Sequence, residues 1–173
     1  ADTSAIYGAL GFLPSNAHSV ASHDAATGLP TVLQLYPLSA ERSVNKGSTG
    51  RDRLARMQPW PTLFWLICPS LKAQVSKLEC LGLIPMLQSD VASHPGLALA
   101  MKASQNHYAE LRWSSLLEPD AALVRELGWG PRLQETGVGG VRDHTQLKCL
   151  HMHLAHSLAA PRATANPVGL WVQ

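Results

Sequence analysis

The residues best suited to chemistry are crowded into Lys148-Cys149-Leu150-His151-Met152-His153-Leu154-Ala155-His156, where one thiol and three imidazoles fall within eight positions. Thiolate sulfur and imidazole nitrogen together suit zinc. Wound as a helix at about 100° per residue, this stretch gathers Cys149, His153 and His156 within about 60° of one another, a shared face for ligands. The same arithmetic turns His151 about 160° from Cys149, onto the stripe of Leu147, Leu154 and Leu158, so it is expected to be a buried, hydrogen-bonded core histidine. Cys68, at the end of a predicted strand, is the candidate fourth ligand. The expected metal set is therefore Cys68, Cys149, His153 and His156, with zinc as the ion. Two bland readings compete with it, since one of the histidines can simply cap or pair and thiols are often buried as small apolar groups, and the chain has no CxxC pair to strengthen the metal reading. Cys149 acting as a nucleophile beside a histidine base fits less well, because i, i+4 spacing on a helix arranges ligands more naturally than an exposed nucleophile.

The elements that must position these residues can be read from pattern. Thr31 to Tyr36 is apolar and β-branched, flanked by Pro30 and Pro37, and predicts a first strand. Pro61 to Pro69, with Leu63-Phe64-Trp65-Leu66-Ile67-Cys68 inside it, predicts a second; it is far shorter than the roughly 20 apolar residues that cross a bilayer. Pro69 and Ser70 open a helix that carries Leu71, Val75, Leu78 and Leu81 to a stop at Gly82. A long helix is predicted over about 95–117 and a shorter one over 120–127 before Gly128. Thr136-Gly137-Val138-Gly139-Gly140 lacks the context of a dinucleotide fingerprint and predicts a hinge or a tight approach. Asp143, with Gln146 three residues on, predicts the cap of a last helix running to about Ala159, where Pro161 ends it.

Residues 1–24 show no sustained period and are expected to form an irregular arm ahead of one domain over 25–173. Residues 39–58 are polar, with Arg42, Lys46, Arg51, Arg53 and Arg56 around Gly47-Ser48-Thr49-Gly50. This basic loop is either a solvated insertion or a docking arm for an acidic protein partner. His107, Tyr108 and Arg112 are expected as rim contacts, and the five tryptophans as core and interface anchors.

Composition narrows the class. A chain of 173 residues, 46% hydrophobic and 15% charged, can bury a core without a metal or disulfides. A net charge of +2 gives no sign of nucleic acid or anionic membrane as partner. Three widely spaced cysteines fit a reducing compartment, an organelle after processing included.

Several motifs resemble an uncharacterised, mainly bacterial family catalogued as a domain of unknown function, number five hundred and one. They are Gly28-Leu29-Pro30-Thr31-Val32, the segment Pro61 to Pro69, Ser76-Lys77-Leu78-Glu79, Gly139-Gly140-Val141-Arg142-Asp143, Lys148-Cys149-Leu150-His151, Ala155-His156 and Asn166-Pro167-Val168-Gly169. The chain departs from the family where Ala25 and Ala26 replace an Arg-Cys pair, and in the length of the basic loop. The resemblance implies weight on Cys68, Cys149, His151 and His156 rather than on His153.

These readings together predict an α+β fold, a small antiparallel sheet of N-terminal strands packed by several helices. The function expected first is a non-catalytic accessory subunit of a larger assembly with a structural Cys/His metal site. The alternative is a metal-dependent hydrolase with an open zinc site. Four protein ligands would favour the former, and an open position beside a pocket the latter.

Overall fold

The computed structural model describes residues 2–40, 57–160 and 165–173. Arg42, Lys46, Arg51, Arg53 and Arg56 lie outside the described residues, with most of the basic loop. The architecture is the expected α+β, with helices packed around a small antiparallel sheet.

Strand β2 (Pro30–Leu35) is buried at almost every position, which explains its unbroken apolar run: it lies between β1 (Ala17–His23) and β5 (Phe64–Leu66). Both neighbours are antiparallel, with Val20 opposite Leu33 and Leu33 opposite Trp65. Beyond Pro37, β3 (Leu38–Ala40) pairs with β4 (Met57–Pro59) as a separate two-stranded ribbon.

The first 24 residues are not irregular. Asp2–Leu10 forms helix α1, which sets Ile6 against Leu33, Leu35 and Ile67, and Ala17–His23 is the edge strand β1. Its sequence, Ala-His-Ser-Val-Ala-Ser-His, shows no apolar alternation, since the strand is bulged and held by its ladder to β2 rather than by a buried face. The second predicted strand is shorter than its apolar run. The Leu63 amide leaves the ladder to donate to the buried Tyr108 hydroxyl at 2.6 Å.

Helix α2 (Pro69–Cys80) starts at its proline and ends before Gly82, whose φ of 82° suits a residue without Cβ. Pattern reading missed α3 (Leu83–Ser93), which buries only Leu87 and Val91. Helices α4 (Pro95–Ser114) and α5 (Glu118–Glu126) follow the predicted spans closely, with α6 (Gly130–Gln134) and a 3₁₀ turn at Val138–Gly140 after them. The start of α5 is held by Tyr36, whose hydroxyl donates to Asp120 and accepts from the Leu117 amide.

The last long helix, α7 (Leu150–Ala159), is capped by Cys149, six residues later than the predicted cap at Asp143. Asp143 Oδ1 instead takes the Thr145 amide at 2.9 Å and its hydroxyl at 2.7 Å, closing a local turn. Distant amide side chains then claim the backbone that a helix would use. Gln88 accepts from the Leu147 amide and donates to the Thr145 carbonyl, and Gln105 donates to the Gln146 carbonyl. No described helix is long and apolar enough to cross a membrane.

Helix α8 (Pro167–Val172) lies against α7 at Gly169, where a Cβ would stand 2.3 Å from the His153 carbonyl oxygen and 2.5 Å from Ser157 Cβ. Backbone cannot yield as a flexible side chain does. Gly169→Ala should therefore lower unfolding free energy by about 3 kcal/mol, read from urea titration. Gly96→Ala, in the first turn of α4 with nothing within 4 Å of the added Cβ, should be neutral or stabilising by up to about 1 kcal/mol.

Candidate functional site

Helix α2 presents Lys72, Ser76 and Glu79 on one side, at i, i+4 and i+7. Across from it, Glu79 Oε1 accepts the Leu150 amide at 2.7 Å, satisfying one of the unpaired donors at the start of α7. That contact fixes where the helix begins and leaves Cys149 as its N-cap, extended at φ −147° and ψ 147°. The helical angle that separated Cys149 from His151 therefore does not apply, because Cys149 is not on the helix.

His151, in the first turn, leans onto α2. Its Nδ1 is 3.1 Å from Glu79 Oε1, and its Nε2 is 3.2 Å from the Lys72 carbonyl oxygen and 3.3 Å from Ser76 Oγ. An N–H on Nδ1 suits the carboxylate; Nε2 can then accept from the Ser76 hydroxyl, or donate to Lys72 when it carries the proton. Glu79, Cys149 and His151 are each half-buried, and one ligand atom of each falls within 4.8 Å of the others. Burial pushes the Cys149 thiol above its usual range, with the Glu79 charge adding to the rise, while the Met152 amide opposes it. Such a thiol is protonated at neutral pH and is no activated nucleophile.

Cys149 and His151, but not Glu79, line a hollow of about 320 Å³ whose walls also include Trp60, Thr62, Phe64, Trp65, Met152 and Lys72. Residues 60–65, the approach to β5, thus form an aromatic wall facing the start of α7.

The structure parts the residues that the sequence grouped. His153 and His156 are fully buried on other sides of α7, and the Asn166 amide lies 2.9 Å from His153 Nδ1 and 3.2 Å from His156 Nδ1. Because Asn166 Oδ1 accepts the Gly169 amide, capping α8, its nitrogen donates to the two rings, which places their hydrogens on Nε2. His156 stacks on Phe64 and meets Tyr108 edge-on at 5.0 Å. Cys68 is elsewhere again, the N-cap of α2 with its sulfur 3.1 Å from Ser70 Oγ, lining a different hollow with Ala5, Gly8 and Leu29. Burial raises its thiol, but the Ser70 hydroxyl and the Leu71 and Ser70 amides outweigh burial and hold it below the usual value. His151, expected in the core, is the histidine that joins Cys149. Glu79 was not among the expected site residues, although the polar stripe Lys72, Ser76, Glu79, about 100° around α2 from Leu71, Val75 and Leu78, marks that side of the helix.

Residues 21–173 match the model of a family described as protein of unknown function (DUF501). The chain belongs to that family. No curated protein and no solved structure matches it. The DUF501 match takes in Glu79, Cys149, His151 and every element around the hollow, and it leaves out α1.

Burial lowers the pKa of His156 to about 3, with His107 and His153 adding to the fall. The folded-state value lies below the unfolded one of about 6.5, so the unfolded chain binds the proton and stability drains away as pH falls. Full stability is present above about pH 6.5, and this one group should cost roughly 2 kcal/mol between pH 7 and pH 5. Urea midpoints measured across that window should fall, and His156→Phe should flatten the fall by about one proton. An unchanged slope in that variant would count against a neutral, buried His156.

Proposed function

We propose that Glu79, Cys149 and His151 form an open transition-metal site of the zinc class, and that the chain is a metal-dependent hydrolase acting on a group seated in the aromatic hollow. The observation that carries this reading is the convergence of carboxylate, thiol and imidazole, of which the thiol and the imidazole line a pocket. The donor set fits the ion: two ligand atoms on a tetrahedral zinc stand about 3.4 Å apart, and Glu79 Oε1 and His151 Nδ1 are already 3.1 Å apart. Three protein ligands beside a hollow leave a coordination position toward it, which places the hydrolase reading ahead of the accessory-subunit reading; a fourth protein ligand would close it.

Each residue then has a task. Ligation at His151 Nδ1 leaves Nε2–H for the Lys72 carbonyl, the outer hydrogen bond that orients a ligating imidazole. Glu79 holds the α7 amide at Leu150 and so keeps Cys149 and His151 in register. Cys149 must give up a proton that its burial retains, so uptake of the ion should strengthen as pH rises. When bound, the ion supplies a water acidified toward neutrality and a Lewis acid for a carbonyl or phosphoryl oxygen. The apolar walls exclude competing water and seat the substrate.

Elemental analysis of the purified chain should find zinc at close to one equivalent. Free zinc at a hundredfold its dissociation constant should stabilise the fold by about 2.7 kcal/mol. Cys149→Ser, His151→Ala and Glu79→Gln should each abolish that gain, whereas Cys68→Ser should not. If no transition metal copurifies and added zinc leaves thermal unfolding unchanged, the reading falls. A chain that takes up zinc but hydrolyses no ester, amide or phosphoester in a substrate screen would retain the site and lose the hydrolase.

A further inference from the structure

The hollow beside the triad has a composition of its own. Its walls are the aromatic rings of Trp60, Phe64 and Trp65 and the apolar side chains of Leu35, Leu66 and Met152. Lys72 also lines it, and no carboxylate does. Among the described residues, Lys72 has no salt-bridge partner, although Glu79 lies two turns along on the same side of α2, occupied by Leu150 and His151. The Lys72 main chain is pinned, because its carbonyl meets His151 Nε2 at 3.2 Å, so its side chain leaves α2 from beside the triad.

Lys72 is half-buried and lines the hollow, and among the described residues its ammonium has no counter-charge. A ligand that brings an anion supplies it. A cationic ligand meets the same-sign charge of Lys72, and a neutral apolar one fills the walls but leaves the ammonium unpaired. At about 320 Å³ the hollow lies at the small end of ligand pockets, room for one ring and a short chain.

We infer that the hollow binds a small acid, a compact aromatic or branched apolar body carrying one anionic group, with the body between Trp60, Phe64 and Trp65 and the anion on Lys72. The inference deepens the hydrolase reading, on which it rests for the meaning of such a ligand as product or substrate: the scissile ester or amide would belong to an apolar acid. Binding itself requires only the walls and Lys72.

The test titrates the full chain, zinc-loaded and chelator-treated, by tryptophan fluorescence and calorimetry with 3-phenylpropanoate, its neutral amide and 2-phenylethylammonium. Phenyl phosphate serves as a second anion. The expected result is saturable binding of at least one of the two anions, at least tenfold weaker binding of the amide and none of the ammonium. Lys72→Gln should abolish the preference of anion over amide while Trp65→Ala, with native far-UV circular dichroism confirmed, weakens acid and amide alike. Equal binding of acid and amide, a preference that survives Lys72→Gln, or no binding of any probe by a folded chain would overturn the inference. Acid binding by a chain that takes up no zinc would sink the metal reading alone; zinc uptake without anion preference would sink the inference alone.

Discussion

The guanidinium of Arg112 organises both sides of the site. It is fully buried and, among the described residues, pairs with no carboxylate; its hydrogen bonds go to Pro61, which precedes the hollow's aromatic residues, and to residues 133–137. Its Nε and Nη2 donate to the Leu133 carbonyl at 2.7 and 2.5 Å, Nη2 donates also to the Thr136 carbonyl, and Nη1 donates to the Pro61 carbonyl at 2.8 Å. Burial lowers its pKa to about 10, partly offset by Tyr108, so it remains charged at neutral pH. A charge buried without a counter-ion is tolerable only when its donors are satisfied, and carbonyl oxygens satisfy them here. Pro61 leads directly into the aromatic wall. Thr136 leads into the glycine turn, where Gly139 comes so close to α7 that a Cβ would stand 2.8 Å from Met152 Sδ.

A second constraint follows from that placement. Gly139 accepts a hydrogen bond from Lys148 Nζ at 2.9 Å, and Gln88 and Gln105 hold backbone groups of residues 145–147 outside any helix. The chain is thereby kept from winding into a helix until Leu150, where Glu79 supplies the missing acceptor. Helix start, cysteine cap and histidine orientation are thus one event. Were α7 to begin at Asp143, Cys149 would sit within the helix and turn away from His151.

This accounts for what could be read in the sequence. Local signals carried the elements whose causes are local: Pro69 and Gly82 bound α2, Pro95 opens α4, and the apolar run of β2 reports burial on two faces. Signals failed where a distant partner decides. The β1 strand exists through its ladder to β2, and the delayed start of α7 exists through three side chains more than forty residues away in sequence. Arg112, taken as a rim residue, is buried because carbonyls from two separate segments, Pro61 and residues 133–137, converge on it, and carbonyls leave no trace in side-chain pattern. Cys149 and His151 were both visible as candidates. Their grouping was not, because it depends on backbone geometry at position 149.

The strongest departures from ordinary titration do not mark the site. His153 and His156 are pushed to about 4 and about 3, and both shifts originate in burial. Among the described residues neither ring has a carboxylate against it, and their Nδ1 atoms are spent on the asparagine that caps α8. A perturbed imidazole becomes a functional candidate when desolvation comes with a charge partner and an approach for substrate, since only then can it change charge in response to something bound. His151 has a side chain one-quarter exposed, a carboxylate at 3.1 Å and a cavity alongside. The histidines of α7 accordingly divide by surroundings: the two in the core share the asparagine that caps α8, and the one at the solvent boundary sits beside a carboxylate and a hollow.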